Sequence, residues 1–180
     1  YSKITVEARE IKEKLLTKNV NSRPGIALKK IKGIVIHYTA NPNTDAKANR
    51  NYFESRKNME DTSVNKVSSH YIIGLSGNIL RCIPDEEIAY ASNKRNKDTL
   101  SIECCHPDST GKFSTKTYQA LIHLVAYLAD RYEISLDEII RHYDVTGKEC
   151  PKYYVQHEDA WERLKNDVAA YLKKSVSVTN

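Results

Sequence analysis

His142 and Cys150 are joined by the stretch Tyr143-Asp-Val-Thr-Gly-Lys-Glu149 and followed by Pro151. An imidazole nitrogen and a thiolate on one short, Gly-containing turn are two good donors for a single soft-to-borderline divalent ion. Lys148 adds a cation two residues before the thiolate. Two ligands fall short of a catalytic zinc site, which takes three from the protein and leaves a position for water. The candidate third is His37, at the end of the strand-like run Gly33-Ile-Val-Ile-His-Tyr38.

A His, His, Cys set suits one Zn2+ ion, because imidazole and thiolate match its borderline softness. Two neutral imidazoles and one thiolate leave the site with residual positive charge, which lowers the pKa of a water in the open position toward ~7. Cys82, Cys104 and Cys105 form no CxxC pair, so an open hydrolytic site is expected rather than a closed structural one. Hydrolysis also needs a group that moves protons. Glu103 is the candidate, a lone carboxylate inside Leu100-Ser-Ile-Glu-Cys-Cys105. A charge in an apolar strand is costly unless paired or used. The competing reading is an outward-facing position on an edge strand. Lys148 is suited to hold an oxyanion, against the reading of a solvated loop lysine. His106, His123 and His157 are read as structural.

These residues need a scaffold. Val6 to Leu16 reads as an amphipathic helix, followed by a polar loop. The β-branched run Ile31 to Thr39 predicts a buried strand, and Asp45 to Arg56 a helix. His70 to Leu75 and Asn78 to Ile83 flank Ser76-Gly77, a two-residue hairpin connection. Thr99 to Cys105 predicts a further strand, in which Cys104 and Cys105 point to opposite faces. Ser114 caps a long helix carrying Leu121, Val125 and Leu128 at helical spacing. A short helical turn over Ser135 to Ile140 leads into His142, and a last helix runs from about Glu158 to Lys173. Strands interleaved with helices predict an α/β fold, a central mixed β-sheet flanked by helices. His37 at the end of a strand is where such folds place sites.

With 180 residues, 40% hydrophobic and 28% charged, the chain is read as one domain with a substantial core. No apolar run approaches the ~20 residues of a membrane span, so no membrane insertion is expected. The net charge of +5 suits a polyanionic surface, such as a wall rich in phosphate or carboxylate polymers. The densest basic patch, Asn93-Lys-Arg-Asn-Lys97, accompanies no nucleic-acid motif and is read as a solvated loop. No nucleic acid partner is expected, and nothing obliges a dimer, so a monomer is expected. The polar tail 175–180 is read as a linker stub to a missing C-terminal wall-binding domain.

The motifs Ile-Val-Ile-His37, Ser-Ser-His70-Tyr-Ile-Ile-Gly, Leu-Ser-Ile-Glu103 and Arg-His142-Tyr-Asp-Val-Thr-Gly-Lys148-Glu-Cys150-Pro resemble the type-2 N-acetylmuramoyl-L-alanine amidases. That family includes phage endolysin catalytic domains, bacterial autolysins and, more distantly, animal peptidoglycan-recognition proteins. The resemblance covers about residues 25–172 and makes residues 1–174 a zinc amidase catalytic domain. It implies a zinc site in a groove on one face of the sheet, with His37, His142 and Cys150 as ligands. It implies Glu103 as the catalytic glutamate and Lys148 as a transition-state lysine. The implied substrate is bacterial peptidoglycan, cut between N-acetylmuramic acid and L-alanine. The implied place of action is the bacterial wall, reached by secretion or by release from the host cytoplasm during phage lysis.

Some relatives carry a catalytic tyrosine immediately before the histidine that corresponds to His70. Here that position is Ser69, so proton transfer falls to Glu103 and Tyr71 does not inherit the role. Where many relatives carry a Trp-His or Tyr-His pair, this chain has Tyr90-Ala91. His70 is expected to line the groove as a substrate-binding residue, or to brace it. Two other functions compete: a non-catalytic peptidoglycan-binding recognition module, and a zinc peptidase acting inside the stem peptide.

Overall fold

The computed structural model describes residues 11–179, with side chains through Lys173. Six strands form one mixed sheet: β1 (Ile11–Glu13), β2 (Gly33–Tyr38), β3 (Tyr71–Ile73), β4 (Ile79–Arg81), β5 (Thr99–Cys104) and β6 (Ile139–Arg141). Their order across the sheet is β1-β4-β3-β5-β2-β6. The β3–β4 hairpin is antiparallel and every other neighbouring pair is parallel. Among the described residues the α-helices are α1 (Ala46–Ser55), α2 (Thr115–Arg131), α3 (His142–Thr146), α4 (Lys152–Gln156) and α5 (Glu158–Thr179).

Alternation along the central strands splits the core in two. Ile34 and Ile36 of β2, with Leu100, Ile102 and Cys104 of β5, pack under Leu121, Leu124 and Leu128 of α2 and Leu164 of α5. On the opposite face Ile72, Leu80, Cys82 and Cys105 pack with Ala46 and Phe53 of α1. Adjacent Cys104 and Cys105 thus enter different clusters, as opposite strand faces require. All four cysteines are free and buried.

Several elements differ from the sequence expectation. Ile11–Glu13 is an edge strand, not part of a helix, and residues 6–10 of that expected helix lie outside the described residues. Lys14 and Leu16 donate to the carbonyls of Arg81 and Cys82, so sheet pairing overrides the helical pattern. Leu16 is buried while its neighbour Leu15 is exposed, the alternation of an extended chain.

The hairpin turn is longer than two residues. The Gly74 N–H bonds Asn78 O, leaving Leu75, Ser76 and Gly77 in the loop. Gly77 has φ +85°, and a Cβ there would stand 2.8 Å from Lys116 O. That places glycine in the αL position of a three-residue hairpin. The turn is fastened to α2, whose capping Ser114 accepts from Thr117 N–H and donates to Leu75 O.

Ile139 and Ile140, expected at the end of a helical turn over Ser135 to Ile140, instead belong to β6 against β2, after a 3₁₀ turn over Leu136–Glu138. The short helix α4 has no counterpart in the sequence reading. Finally, α5 continues to Thr179, so residues 175–179 are helical.

Glu54 ties α1 to the chain entering the sheet. Burial pushes its carboxyl up, but hydrogen bonds from Lys57 and Thr17, together with Arg50, outweigh that and hold it at about 2. A depressed carboxyl stabilises the fold above its unfolded pKa, and the contribution disappears as pH falls from ~4.5 toward 2. Glu54→Gln is expected to cost about 1 kcal/mol at pH 7 after solvent screening, or ~2–4 °C in melting temperature. The difference from wild type should shrink through that acid window when melting is followed from pH 7 to pH 2.5.

Candidate active site

Three parallel strands deliver the candidate residues to one end of the sheet. His37 in β2 and Glu103 in β5 are register partners on neighbouring strands. Strand β6 lies on the other side of β2 and ends at Arg141, so His142 emerges beside them. Their side chains leave the face opposite α2 and α5, because Ile36 and Ile102 take that side. The site therefore forms at the carboxyl ends of parallel strands. Since β5 is flanked by both β3 and β2, the edge-strand reading of Glu103 fails.

The stretch from His142 to Cys150 is helical in its first half. Asp144 accepts from Arg141 N–H at 2.9 Å and from the Arg141 guanidinium, starting α3. Arg141 is itself buried and bridges to Glu158 and Tyr154 O, anchoring α3 to the helical layer. Gly147, at φ +84°, ends the helix in the left-handed conformation. The chain then doubles back, and Tyr143 N–H donates to Cys150 O at 3.0 Å.

The fold thereby converges three donors. Ligand atoms of His37, His142 and Cys150 lie within 4.8 Å of one another, and all three residues are buried. Cys150 Sγ is 3.7 Å from His37 Nδ1, and the two imidazoles meet edge to face at 4.8 Å between centroids. No other such group of three occurs among the described residues. The far nitrogens are occupied by neighbours: Ser92 Oγ lies 3.2 Å from His37 Nε2, and Asn93 Oδ1 lies 2.9 Å from His142 Nε2.

Electrostatics keep this cluster ready for a cation. Burial drives His37 well below the usual imidazole range, helped by His142 and Lys148, so its ring is neutral. Burial and then Lys148 lower His142 in the same way. Burial pushes the Cys150 thiol up to about 12, with Glu103 adding to the effect and Lys148 opposing it. A bound cation would reverse that preference by favouring thiolate. Glu103 is pushed up to about 8 by burial, with Lys148 pulling against it. Its Oε2 is 3.9 Å from His37 Nδ1, too far for a hydrogen bond.

A cleft of about 610 Å3 opens over these groups, with His37, Glu103, His142, Lys148 and Cys150 in its lining. A family model described as N-acetylmuramoyl-L-alanine amidase matches residues 27–153, which include all five. The chain belongs to the N-acetylmuramoyl-L-alanine amidase family.

Relatives within this amidase family include the N-acetylmuramoyl-L-alanine amidase CwlL of Bacillus licheniformis. It is 33% identical over 174 residues, spanning 89% of this chain and 47% of that protein. The amidase BlyA of Bacillus subtilis is 31% identical, spanning 88% and 47%. The chain spans about half the length of these curated relatives. Among solved structures, PlyL superposes with a TM-score of 0.75 at 26% identity, covering 88% of this chain and 96% of that one. The catalytic domain of XlyA superposes at 0.71 and 26%, covering 88% and 98%.

In this amidase-family fold His70 is not a cleft residue. It is 1% exposed; its Nδ1 faces Ser101 N–H at 3.0 Å, and its Nε2 is 2.7 Å from Glu87 O. Both ring nitrogens are used inside the protein, so the expected substrate contact gives way to a brace between the hairpin and β5. Tyr71 is likewise turned away, with its hydroxyl on Asp85. His106, His123 and His157 are absent from the cleft lining. The expected solvated loop is different: Ser92 and Asn93 reach into the site, and Tyr90, Lys66 and Tyr52 line the cleft. Sequence reasoning missed these because serine and asparagine in a polar loop carry no distinguishing pattern.

Proposed function

We propose that this chain is a zinc-dependent amidase that cuts the bond between N-acetylmuramic acid and L-alanine in bacterial peptidoglycan. The observation that carries the reading is the convergence of His37, His142 and Cys150 beside a half-buried carboxylate in one open cleft. His37, His142 and Cys150 would hold a single Zn2+ ion, which the donor set fits: two neutral imidazoles and a thiol that a cation ionises. Zinc held there supplies Lewis acidity toward the scissile carbonyl and toward water.

The remaining work belongs to the chain's own groups. Glu103, with a proton affinity near neutrality, takes a proton from the attacking water and delivers it to the leaving L-alanine nitrogen. Lys148, whose charge is felt at His37, His142, Glu103 and Cys150, faces the negative charge that develops on the carbonyl oxygen. A recognition-only role would not require the full ligand set with a carboxylate beside it. We assign the catalytic unit to residues 1–174 and its place of action to the bacterial wall, which secretion or phage lysis would let it reach. It is taken to work as a monomer.

Digestion of purified peptidoglycan is expected to release new L-alanine amino termini while leaving intact muramic acid on the glycan. Mass analysis of the products, with and without a chelator, tests this. New amino groups at a later stem-peptide residue would establish a peptidase instead. Saturable wall binding with no released product would establish a recognition module.

A further inference from the structure

Two consecutive residues outside the ligand set contact both histidines of the cluster. Ser92 Oγ is 3.2 Å from His37 Nε2, and Asn93 Oδ1 is 2.9 Å from His142 Nε2. An amide oxygen only accepts, so His142 must carry its proton on Nε2, which leaves the Nδ1 lone pair free. On His37 the nitrogen nearest Cys150 Sγ is also Nδ1. From this geometry we infer that Ser92 and Asn93 form a clip that turns both imidazoles so that each presents Nδ1 to one shared zinc ion. The inference rests on the zinc reading proposed above.

The loop is built to hold still. Asn96 Oδ1 accepts from the backbone N–H groups of both Ala91 and Ser92, at 3.1 and 2.6 Å. The following 3₁₀ turn, Asn93–Arg95, is fixed at its end by Arg95, which bonds Asp98 at 2.7 Å and Glu138 at 3.0 Å. Asp98 precedes β5 and Glu138 precedes β6, so the clip is tied to the strands that bring Glu103 and His142 to the site. Ser92 is buried with His37. Asn93 sits at φ +53°, a left-handed conformation that asparagine tolerates better than most side chains and that aims its amide at the His142 ring. A partner on the far nitrogen of a ligating histidine fixes its ring orientation, and the acceptor-only amide oxygen of Asn93 also fixes the tautomer, which makes Ser92 and Asn93 positioning residues.

The test measures zinc affinity of the 180-residue chain by chelator competition, independently of activity. Asn93→Gly removes the amide while glycine accepts the left-handed backbone. Asn93→Asp keeps an acceptor in the same place. Asn93→Gly and Ser92→Ala are each expected to weaken zinc binding about 10- to 100-fold, with Asn93→Asp within a few-fold of wild type. Because the Gly and Asp variants share a position, their ratio reports the acceptor rather than a general loss of fold. Unchanged affinity in Asn93→Gly and Ser92→Ala, or equal losses in Asn93→Gly and Asn93→Asp, would overturn the clip and leave the zinc site standing. A wild-type chain that binds no zinc would overturn both.

Discussion

Glu103→Ala is expected to lower peptidoglycan hydrolysis by ~10²- to 10⁴-fold while the chain still binds one zinc ion. The separation of the two effects follows from geometry. Glu103 Oε2 stands 3.9 Å from His37 Nδ1, so the carboxylate does not hold the imidazole in place. The ring is held from its other side by Ser92, and Cys150 is fixed by its own backbone bond to Tyr143. Removing the carboxylate therefore removes a proton carrier and leaves the ligand set intact. The fold should also survive, because the cleft already gives the Glu103 side chain an open side. Loss of a residue that acts on protons in the transition state lowers kcat with little change in KM. Glu103→Gln, which keeps the shape and loses the titration, should match the alanine variant in kcat. Near wild-type turnover in both variants, or loss of zinc in either, would remove Glu103 from its role.

The strands carrying the site were legible for a physical reason. Gly33–Tyr38 and Thr99–Cys104 are central and covered on both faces, so they read as β-branched or apolar runs whatever surrounds them. Within β5 the alternation even separates the two faces: Leu100, Ile102 and Cys104 are apolar, whereas the polar Thr99, Ser101 and Glu103 take the other face, of which Glu103 reaches the cleft. Short edge strands carry less information. Ile11–Glu13 and Ile139–Arg141 each span less than one period of any helical pattern, and both exist because a neighbouring strand supplies backbone partners. Their composition fits a helix equally well, and pairing decides.

The same contrast divides the site. His37, His142 and Cys150 are legible because few side chains have metal-donating chemistry. His70 shows where that reasoning fails. Its type matches a ligand or substrate contact, yet Ser101 and Glu87 consume both nitrogens inside the protein. Only the packing of the hairpin against β5 reveals this. Ser92 and Asn93 present the opposite case, ordinary polar residues given a role by the two imidazoles they face.

Cys150→Ser is expected to reduce zinc affinity on the order of 10²-fold or more and to abolish hydrolysis at limiting zinc. Zinc sites with four protein ligands bind with roughly 10–16 kcal/mol, about 3 kcal/mol per ligand, and a hydroxyl is a poor replacement for thiolate. The fold itself should persist, because His37 and His142 sit at strand ends and Cys150 in the stretch after α3, while most of the apolar burial lies in the two clusters on either face of the sheet. Thermal melting can report the metal separately from catalysis. Zinc binds the native chain in preference to the unfolded one, so free zinc at a thousand times Kd adds ~4 kcal/mol of stability. For a chain of this size that is about 10 °C in melting temperature. Wild type should show this rise on adding zinc and lose it with a chelator, and hydrolysis should follow the same cycle. Cys150→Ser should melt near the metal-free wild type and respond little to micromolar zinc. A variant that kept the full zinc-dependent rise would show that Cys150 is not a ligand, and chelator-resistant hydrolysis by wild type would remove zinc from the reaction.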